Sequence, residues 1–190
     1  MRLILASASP RRLDLLARIG VVPSAVDPAD LDETPHKAEP PRVYAQRIAR
    51  EKAEDVAVRH PGAVILAADT VVAVGRRILP KAEDAATAQS CLELLSGRRH
   101  QVLTAVTVID AQGTARHRLS VTTLAFKRLS AAEIVAYIAS KEWQGKAGGY
   151  AIQGHAEAFV RFLSGSHSGV IGLPLFETRA LLVSAGVLDA

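Results

Sequence analysis

The sequence has little cysteine and few aromatic residues. Its 190 residues include one cysteine, one tryptophan, three tyrosines and four phenylalanines. The single thiol, Cys91, cannot form a disulfide within the chain, and no Cys/His cluster has the spacing of a zinc site. This pattern favours a reducing compartment, and we expect a cytoplasmic protein. No aromatic run is interleaved with basic residues, which disfavours a stacking platform for nucleic acid.

Other absences exclude whole classes of protein. No apolar stretch is long enough to cross a bilayer, so we expect no membrane partner. The pair Gly145-Lys146 is followed by Ala147 and lacks the upstream glycine of a Walker loop. No G-x-G-x-x-G follows a strand, no H-E-x-x-H is present, and His167 stands where a nucleophile elbow requires serine. A dinucleotide enzyme, a zinc peptidase and a serine hydrolase are therefore disfavoured.

The hydrophobic pattern predicts an α/β fold. It predicts strands at residues 3–6, 64–72, 100–110 and 116–127, and helices at 10–19, 42–59, 84–96, 130–140 and after Pro174. The turn Gln112-Gly113 makes an antiparallel hairpin, so the central sheet is mixed, partly antiparallel and flanked by helices. We expect loops at 23–41, 145–149 and 165–169, and short strands at 150–154 and 157–163. No linker divides the chain, which predicts one domain, residues 1–190, with two lobes around a cleft.

A carboxylate lies inside the most apolar of these strands. Asp69 interrupts residues 64–72, a β-branched run typical of a strand buried on both faces. An ionised aspartate in such a place costs several kcal/mol unless a partner compensates its charge. Asp69 is therefore either an internal hydrogen-bond acceptor or part of a cleft that holds a cation or a reacting water.

Several cations occur at the ends of predicted elements. Ser9 is a good N-cap and Pro10 a good first helical residue, and Arg11 and Arg12 follow in the first turn, where an anion is favoured. Lys52 falls on the apolar stripe of its helix, so it either extends to solvent or reaches a buried anion. Lys81 and Lys146 lie on loops, and the acidic loop 23–41 carries Glu33. The following readings stay open: solvated surface charges, or a site for polyphosphate and Mg²⁺.

The sequence also resembles the Maf proteins over essentially its whole length. The resemblance is carried by motifs in the same order: Ser7-x-Ser9-Pro10-Arg11-Arg12, Ala68-Asp69-Thr70, Lys81, Leu95-Ser96-Gly97-Arg98-x-His100, residues 146–154 (KAGGYAIQG) and Gly172-Leu173-Pro174. It implies a fold similar to that of inosine triphosphate pyrophosphatases. It also implies hydrolysis of a nucleoside triphosphate to the monophosphate and pyrophosphate, with Mg²⁺ or Mn²⁺ as cofactor and a homodimer as the expected assembly.

The resemblance further implies roles for individual residues. Asp69 would be the proton acceptor, assisted by Glu33, Lys52 and Lys81, and Asp69 and Glu33 would hold the metal. The substrate would be bound by Ser7, Ser9, Arg11, Arg12, Thr70, Lys146 and Gln153. Arg11, Thr70 and Gln153 match the branch that acts on dTTP and UTP rather than on 7-methyl-GTP.

The chemistry of Gln153 agrees with a pyrimidine substrate. A glutamine amide accepts from uracil N3–H and donates to O4, although it serves equally as a sheet-edge amide bonded to backbone. Two departures affect the comparison: Lys81 is followed by Ala82 where the family usually has proline, and His167 and Gly169 replace residues that are often tyrosine and asparagine. The alternatives are a non-catalytic nucleotide- or DNA-binding regulator of septum formation, and a phosphatase that removes terminal phosphate.

Overall fold

The computed structural model describes residues 1–189. Its strands are β1 (Leu3–Leu5), β2 (Ala25–Val26), β3 (Val64–Val74), β4 (Arg77–Leu79), β5 (Lys81–Ala82), β6 (Arg99–Ile109), β7 (Ala115–Phe126), β8 (Lys146–Ala147) and β9 (Val160–Ser164). Its α-helices are α1 (Pro10–Arg18), α2 (Pro41–Arg59), α3 (Ala85–Leu95), α4 (Ala131–Ser140), α5 (His167–Ile171) and α6 (Leu175–Ser184), and a 3₁₀ helix spans His155–Phe159. No helix within residues 1–189 is long and apolar enough to cross a membrane.

The predicted mixed sheet is confirmed. Seven strands form the main sheet in the order β2-β1-β3-β6-β7-β9, with β4 added beside β3, and β5 and β8 form a second, two-stranded sheet. Strands β2, β1 and β3 run parallel to one another, whereas the pairs β3–β6, β6–β7 and β7–β9 are antiparallel. The long β6–β7 hairpin is the one predicted from the turn at Gln112-Gly113.

Helices cover both faces of the sheet, as the alternation of side chains along β3 requires. Even-numbered β3 residues such as Leu66 and Val72 belong to the large core that includes buried residues of α1, α3, α4 and α6. Odd-numbered β3 residues face α2. There the apolar contacts form two separate clusters, one with Ala67 and the other with Val71. Asp69 lies between these two clusters, so the carboxylate interrupts the core beneath α2.

Several local predictions were wrong. Residues 150–154, predicted as a strand, form a turn. The strand predicted at 157–163 is confirmed from Val160 onward as β9, but residues 157–159 belong to the 3₁₀ helix. The loop 145–149 contains β8, the loop 165–169 contains the start of α5, and β2 lies within 23–41. These elements have two to five residues, too few to show a hydrophobic period. The apolar run that suggested a strand here, Tyr150, Ala151 and Ile152, is buried against the core without belonging to a strand.

Candidate active site

A gap in the main sheet places Asp69 beside a cleft. Strand β1 pairs with β3 as far as Leu66, and β4 pairs with β3 from Val72 onward. Between these points, residues 67–71 of β3 have no strand partner within residues 1–189 on the edge away from β6. A cleft of about 520 Å³ opens there, between the main sheet with α2 and the segment that carries β5, β8 and residues 144–153.

All the residues that the sequence predicted for the site line this cleft. They are Ser7, Ser9, Arg11, Arg12, Glu33, Lys52, Asp69, Thr70, Lys81, Lys146 and Gln153. They come from seven separate parts of the chain, and the fold brings them together. Their roles in binding and catalysis stay predictions.

Four of these residues form an alternating chain of charges. Lys52 Nζ lies 2.9 Å from Asp69 Oδ1 and 2.9 Å from Glu33 Oε1. The other oxygen of Glu33, Oε2, accepts a hydrogen bond from Lys81 Nζ at 3.0 Å. Lys52 and Asp69 are 8% and 4% exposed. The buried aspartate therefore has the cationic partner that its burial requires, and Lys52 reaches an anion instead of extending to solvent.

The position of Glu33 depends on contacts between its loop and α2. Tyr44 Oη donates a 2.8 Å hydrogen bond to the backbone carbonyl of Glu33. Farther along the loop, the Arg47 guanidinium donates to both carboxylate oxygens of Glu39 at 2.8 Å and to the carbonyl of Thr34. Burial alone would raise the pKa of Glu33, but the charge of Lys52 and hydrogen bonds from both lysines outweigh it and lower the pKa. The carboxylate is thus ionised at neutral pH.

The two arginines of α1 are anchored on the segment around α5. Arg12 Nε donates to the carbonyl of Gly172 at 2.9 Å, and Arg12 Nη1 donates to the buried Ser7 Oγ at 2.8 Å. Arg11 Nε donates to the carbonyl of Ile171 at 3.4 Å. Desolvation lowers the pKa of the Arg12 guanidinium, while the nearby charge of Asp69 raises it. Ser9 occupies the N-cap of α1 as predicted, but its side chain makes no capping hydrogen bond. This leaves its hydroxyl available to a ligand.

The segment 146–154 supplies the remaining wall of the cleft. Lys146 Nζ donates to the carbonyl of Gln144 at 2.9 Å, and burial together with the charge of Arg11 lowers the pKa of Lys146. The side chain of Gln153 is exposed and makes no hydrogen bond to residues 1–189, so the alternative of a backbone-bonded amide is not what the fold adopts. A Cβ at the next residue, Gly154, would lie 2.2 Å from Glu142 Oε2, the end of a flexible side chain.

Two residues that position the site were missed from sequence. Tyr44 belongs to α2, and its ring lies in the apolar stripe that the helix period predicts. Thr104 lies in the middle of β6, where it is 1% exposed. A threonine is common in any strand. The sequence gave no signal that Tyr44 would donate to the Glu33 carbonyl. It also gave none that the hydroxyl of Thr104 would lie 3.0 Å from that of Thr70.

The carboxylates in the cleft fit a divalent ion that is shared with a ligand. Among residues 1–189 no group of three or more His, Cys, Asp or Glu side chains could hold a metal ion. Asp69 and Glu33 are nevertheless both within 2.9 Å of one lysine nitrogen, so their oxygens converge. Mg²⁺ typically binds through one or two carboxylates plus phosphate oxygens of a substrate. Three of the four oxygens of this pair already contact Lys52 or Lys81, so Asp69 Oδ2 is the oxygen that an ion could reach without displacing a lysine, and the pair falls short of a complete protein site.

Comparison with known proteins agrees with this geometry. A family model described as Maf-like protein matches residues 2–185. A dTTP/UTP pyrophosphatase of Rhodospirillum rubrum is 67% identical over 184 residues, which covers 97% of this chain and 88% of the relative. A dTTP/UTP pyrophosphatase of Novosphingobium aromaticivorans is 64% identical over 185 residues, with 97% and 92% covered.

A solved structure supports the fold. The structure of a HAM1 protein from Coxiella burnetii matches 97% of this chain and 100% of its own with a TM-score of 0.52 and 17% identity. At that identity the match concerns the fold alone. The family match over nearly the whole chain and the identity to the curated relatives establish that this chain belongs to the Maf family.

Proposed function

We propose that this protein is a nucleoside triphosphate pyrophosphatase that hydrolyses dTTP and UTP between the α- and β-phosphates. The products are the nucleoside monophosphate and pyrophosphate. The observation that carries the proposal is the chain of ion pairs Lys81–Glu33–Lys52–Asp69 along a cleft that also contains Arg11, Arg12 and Lys146. The relatives named dTTP/UTP pyrophosphatase support the activity and the choice of substrates.

The cations of the cleft would bind the triphosphate. The side chain of Lys81 is more than half exposed and, among residues 1–189, contacts no carboxylate other than that of Glu33, so it is free to turn toward a phosphate. Arg12 is already held by hydrogen bonds to Gly172 and Ser7, so little conformational entropy is lost when it binds a phosphate. Fixed cations that face the leaving pyrophosphate stabilise the charge that develops on it in the transition state.

Asp69 is the candidate proton acceptor. Its Oδ1 accepts from Lys52, and its Oδ2 accepts no hydrogen bond from the described residues, so Oδ2 is available to a water in the cleft. Lys52 fixes the carboxylate beside the apolar clusters of α2. We expect the fixed carboxylate to act by orienting the attacking water.

We further propose that the reaction requires Mg²⁺ or Mn²⁺, which Asp69 and Glu33 would hold together with the substrate. Such an ion neutralises charge on the phosphate oxygens when it is bound. The support is the convergence of the two carboxylates on Lys52. Release of pyrophosphate in the presence of Mg²⁺, Mn²⁺ or a chelator would test the requirement.

Gln153 is the candidate for recognition of the pyrimidine base. Its amide is exposed in the cleft and has no protein partner among residues 1–189, so it can accept from N3–H and donate to O4 of uracil or thymine. The 5-methyl group of thymine adds no hydrogen-bonding requirement, which fits activity on both nucleotides. Arg11 and Thr70 would assist this recognition.

A product assay tests the proposal. The purified chain is incubated with each common nucleoside triphosphate and divalent ion, and pyrophosphate and orthophosphate are measured separately. We expect pyrophosphate from dTTP and UTP, and no turnover by Asp69→Asn with an unchanged circular dichroism spectrum. Orthophosphate as the product would indicate a phosphatase. Binding of dTTP without turnover would favour the non-catalytic regulator, and turnover by Asp69→Asn at the wild-type rate would refute the role of Asp69.

Other expectations stay predictions. They are a single domain over residues 1–190, a homodimer, a cytoplasmic location and no binding to nucleic acid. Sedimentation equilibrium measures the oligomeric state, and a salt-dependent binding assay with DNA tests the last of these. DNA binding that weakens steeply with salt would contradict it.

A further inference from the structure

A short hydrogen-bonded relay connects the wall of the cleft to the interior. Thr70 Oγ1 lies 3.0 Å from Thr104 Oγ1, and Thr104 Oγ1 lies 2.8 Å from the carbonyl oxygen of Gly169. Thr70 is partly exposed and lines the cleft, whereas Thr104 is 1% exposed and does not. Thr104 therefore reaches a ligand only through Thr70.

The direction of the relay follows from the number of protons. A hydroxyl has one proton to donate, and a carbonyl has none. The buried carbonyl of Gly169 needs a donor, because an unpaired carbonyl there would carry a desolvation penalty. Within this relay, the hydroxyl proton that reaches it is that of Thr104. Thr104 has then no proton left for Thr70. The proton of Thr70 must point at Thr104, which leaves only the lone pairs of Thr70 Oγ1 for the cleft.

We propose that Thr104 is a positioning residue that makes Thr70 an obligate hydrogen-bond acceptor toward the substrate. The inference rests on the proposed function and adds to it. A free threonine hydroxyl rotates and accepts either a donor or an acceptor, but Thr70 accepts only an N–H or O–H group. Because N3–H of the base is assigned to Gln153, the substrate group of this chemistry that remains for Thr70 is a hydroxyl of the sugar.

The location of Thr70 supports recognition of a defined part of the ligand. Thr70 Oγ1 and Arg12 Nε both lie 3.8 Å from the point where a Cβ of Gly172 would be. A fixed acceptor and a fixed cation therefore both border Gly172. The carbonyl that orients Thr104 belongs to α5, and the carbonyls of Ile171 and Gly172 at the end of α5 orient Arg11 and Arg12. One segment thus sets both the acceptor and the cations.

The test measures how far the loss of a hydrogen-bond donor from the substrate lowers kcat/KM. It compares this loss between the wild type and variants that lack the Thr104 hydroxyl. Pyrophosphate release is measured as kcat/KM for dTTP, 3-methyl-dTTP, which lacks N3–H, and 3′-deoxy-TTP, which lacks the sugar hydroxyl. For the wild type we expect a loss of about three- to tenfold on the analogue that lacks the recognised donor. In Thr104→Val, whose Thr70 is free to rotate, this loss should shrink to less than about twofold. Thr104→Ser retains the hydroxyl and should behave as the wild type.

Controls separate positioning from a general structural effect. Thr70→Val should show the same small loss of kcat/KM on the analogue that lacks the recognised donor. In the double variant Thr70→Val/Thr104→Val this loss should be no smaller than in either single variant. Thr104→Ala provides a second removal of the hydroxyl if valine does not fold in the strand. An equal penalty in the wild type and in the removal variants, or no penalty on either analogue in the wild type, would overturn the proposal. Absence of wild-type turnover of dTTP would instead refute the proposed function.

Discussion

Replacement of Lys52 by methionine should destabilise the protein. Replacement of both Lys52 and Asp69 by apolar residues should not. Methionine retains nearly the volume and length of lysine but removes the charge. In Lys52→Met the carboxylate of Asp69 stays buried without its partner, and Glu33 loses one of its two lysines. In Lys52→Met/Asp69→Val an apolar pair replaces the ion pair. The two apolar clusters under α2, which Asp69 now separates, would then become continuous.

The magnitude follows from the distance and the burial. At 2.9 Å the Coulomb attraction between Lys52 and Asp69 is about 6 kcal/mol in an effective dielectric of about 20. The desolvation of two charged groups offsets much of this attraction. Removal of one partner from a buried pair costs about 3–5 kcal/mol, whereas exchange of the whole pair for apolar side chains is typically neutral or stabilising by about 1–4 kcal/mol. We expect Lys52→Met to lower Tm by about 6–20 °C.

Urea unfolding followed by the fluorescence of Trp143, the single tryptophan, measures these differences. A matched control is Arg50→Met on the same helix, because Arg50 and Glu54 form an exposed ion pair at 3.8 Å. Such a pair contributes less than about 1 kcal/mol. Equal stability of Lys52→Met and Arg50→Met, or a double variant no more stable than Lys52→Met, would refute the reasoning.

Three further predictions concern residues around the cleft. Tyr44→Phe removes the 2.8 Å donor to the Glu33 carbonyl and should cost about 1 kcal/mol and lower kcat/KM severalfold; unchanged values in urea melts and assays would show that the hydroxyl does not hold the loop. Because its lysine partners outweigh burial and lower the pKa of Glu33 below 4.5, the ionised form stabilises the fold above that pH, and this contribution is lost as the pH falls through the lowered pKa. Glu33→Gln should therefore flatten the acid limb of Tm against pH, and an unchanged limb would contradict this. Gly154→Ala should leave KM for dTTP unchanged, because its Cβ would meet only the carboxylate end of Glu142, a flexible side chain that can turn aside; a raised KM would show that Glu142 is held in place.

The sequence predicted which residues need a partner but not which partner each one has. Asp69 in an apolar strand indicated a buried partner, while Lys52 on an apolar helical stripe left open whether it reached solvent or a buried anion. Their pairing depends on how α2 lies across β3, which no local pattern encodes. Likewise, the acidic loop alone left open whether its carboxylates lie over the cleft or in solvent. That Glu33 is the residue placed between Lys52 and Lys81 depends on the hydrogen bond from Tyr44 to its own carbonyl.

The short elements around the cleft show why its second wall was harder to predict. Strands β5 and β8 have two residues each, and they place Lys81 opposite Ala147 and Ala82 opposite Lys146. This register brings two lysines from distant parts of the chain to one side of the cleft. It depends on a close approach at Gly148, where a Cβ would lie 2.8 Å from Val72. The glycine pair Gly148-Gly149, predicted from sequence as part of a loop, lets backbone with positive φ pack against β3 at Gly148 and against α3 at Gly149. The glycines thus serve to hold the lysine-bearing wall close to the strand that carries Asp69, so rigidity of this segment, and not its mobility, is what the site requires.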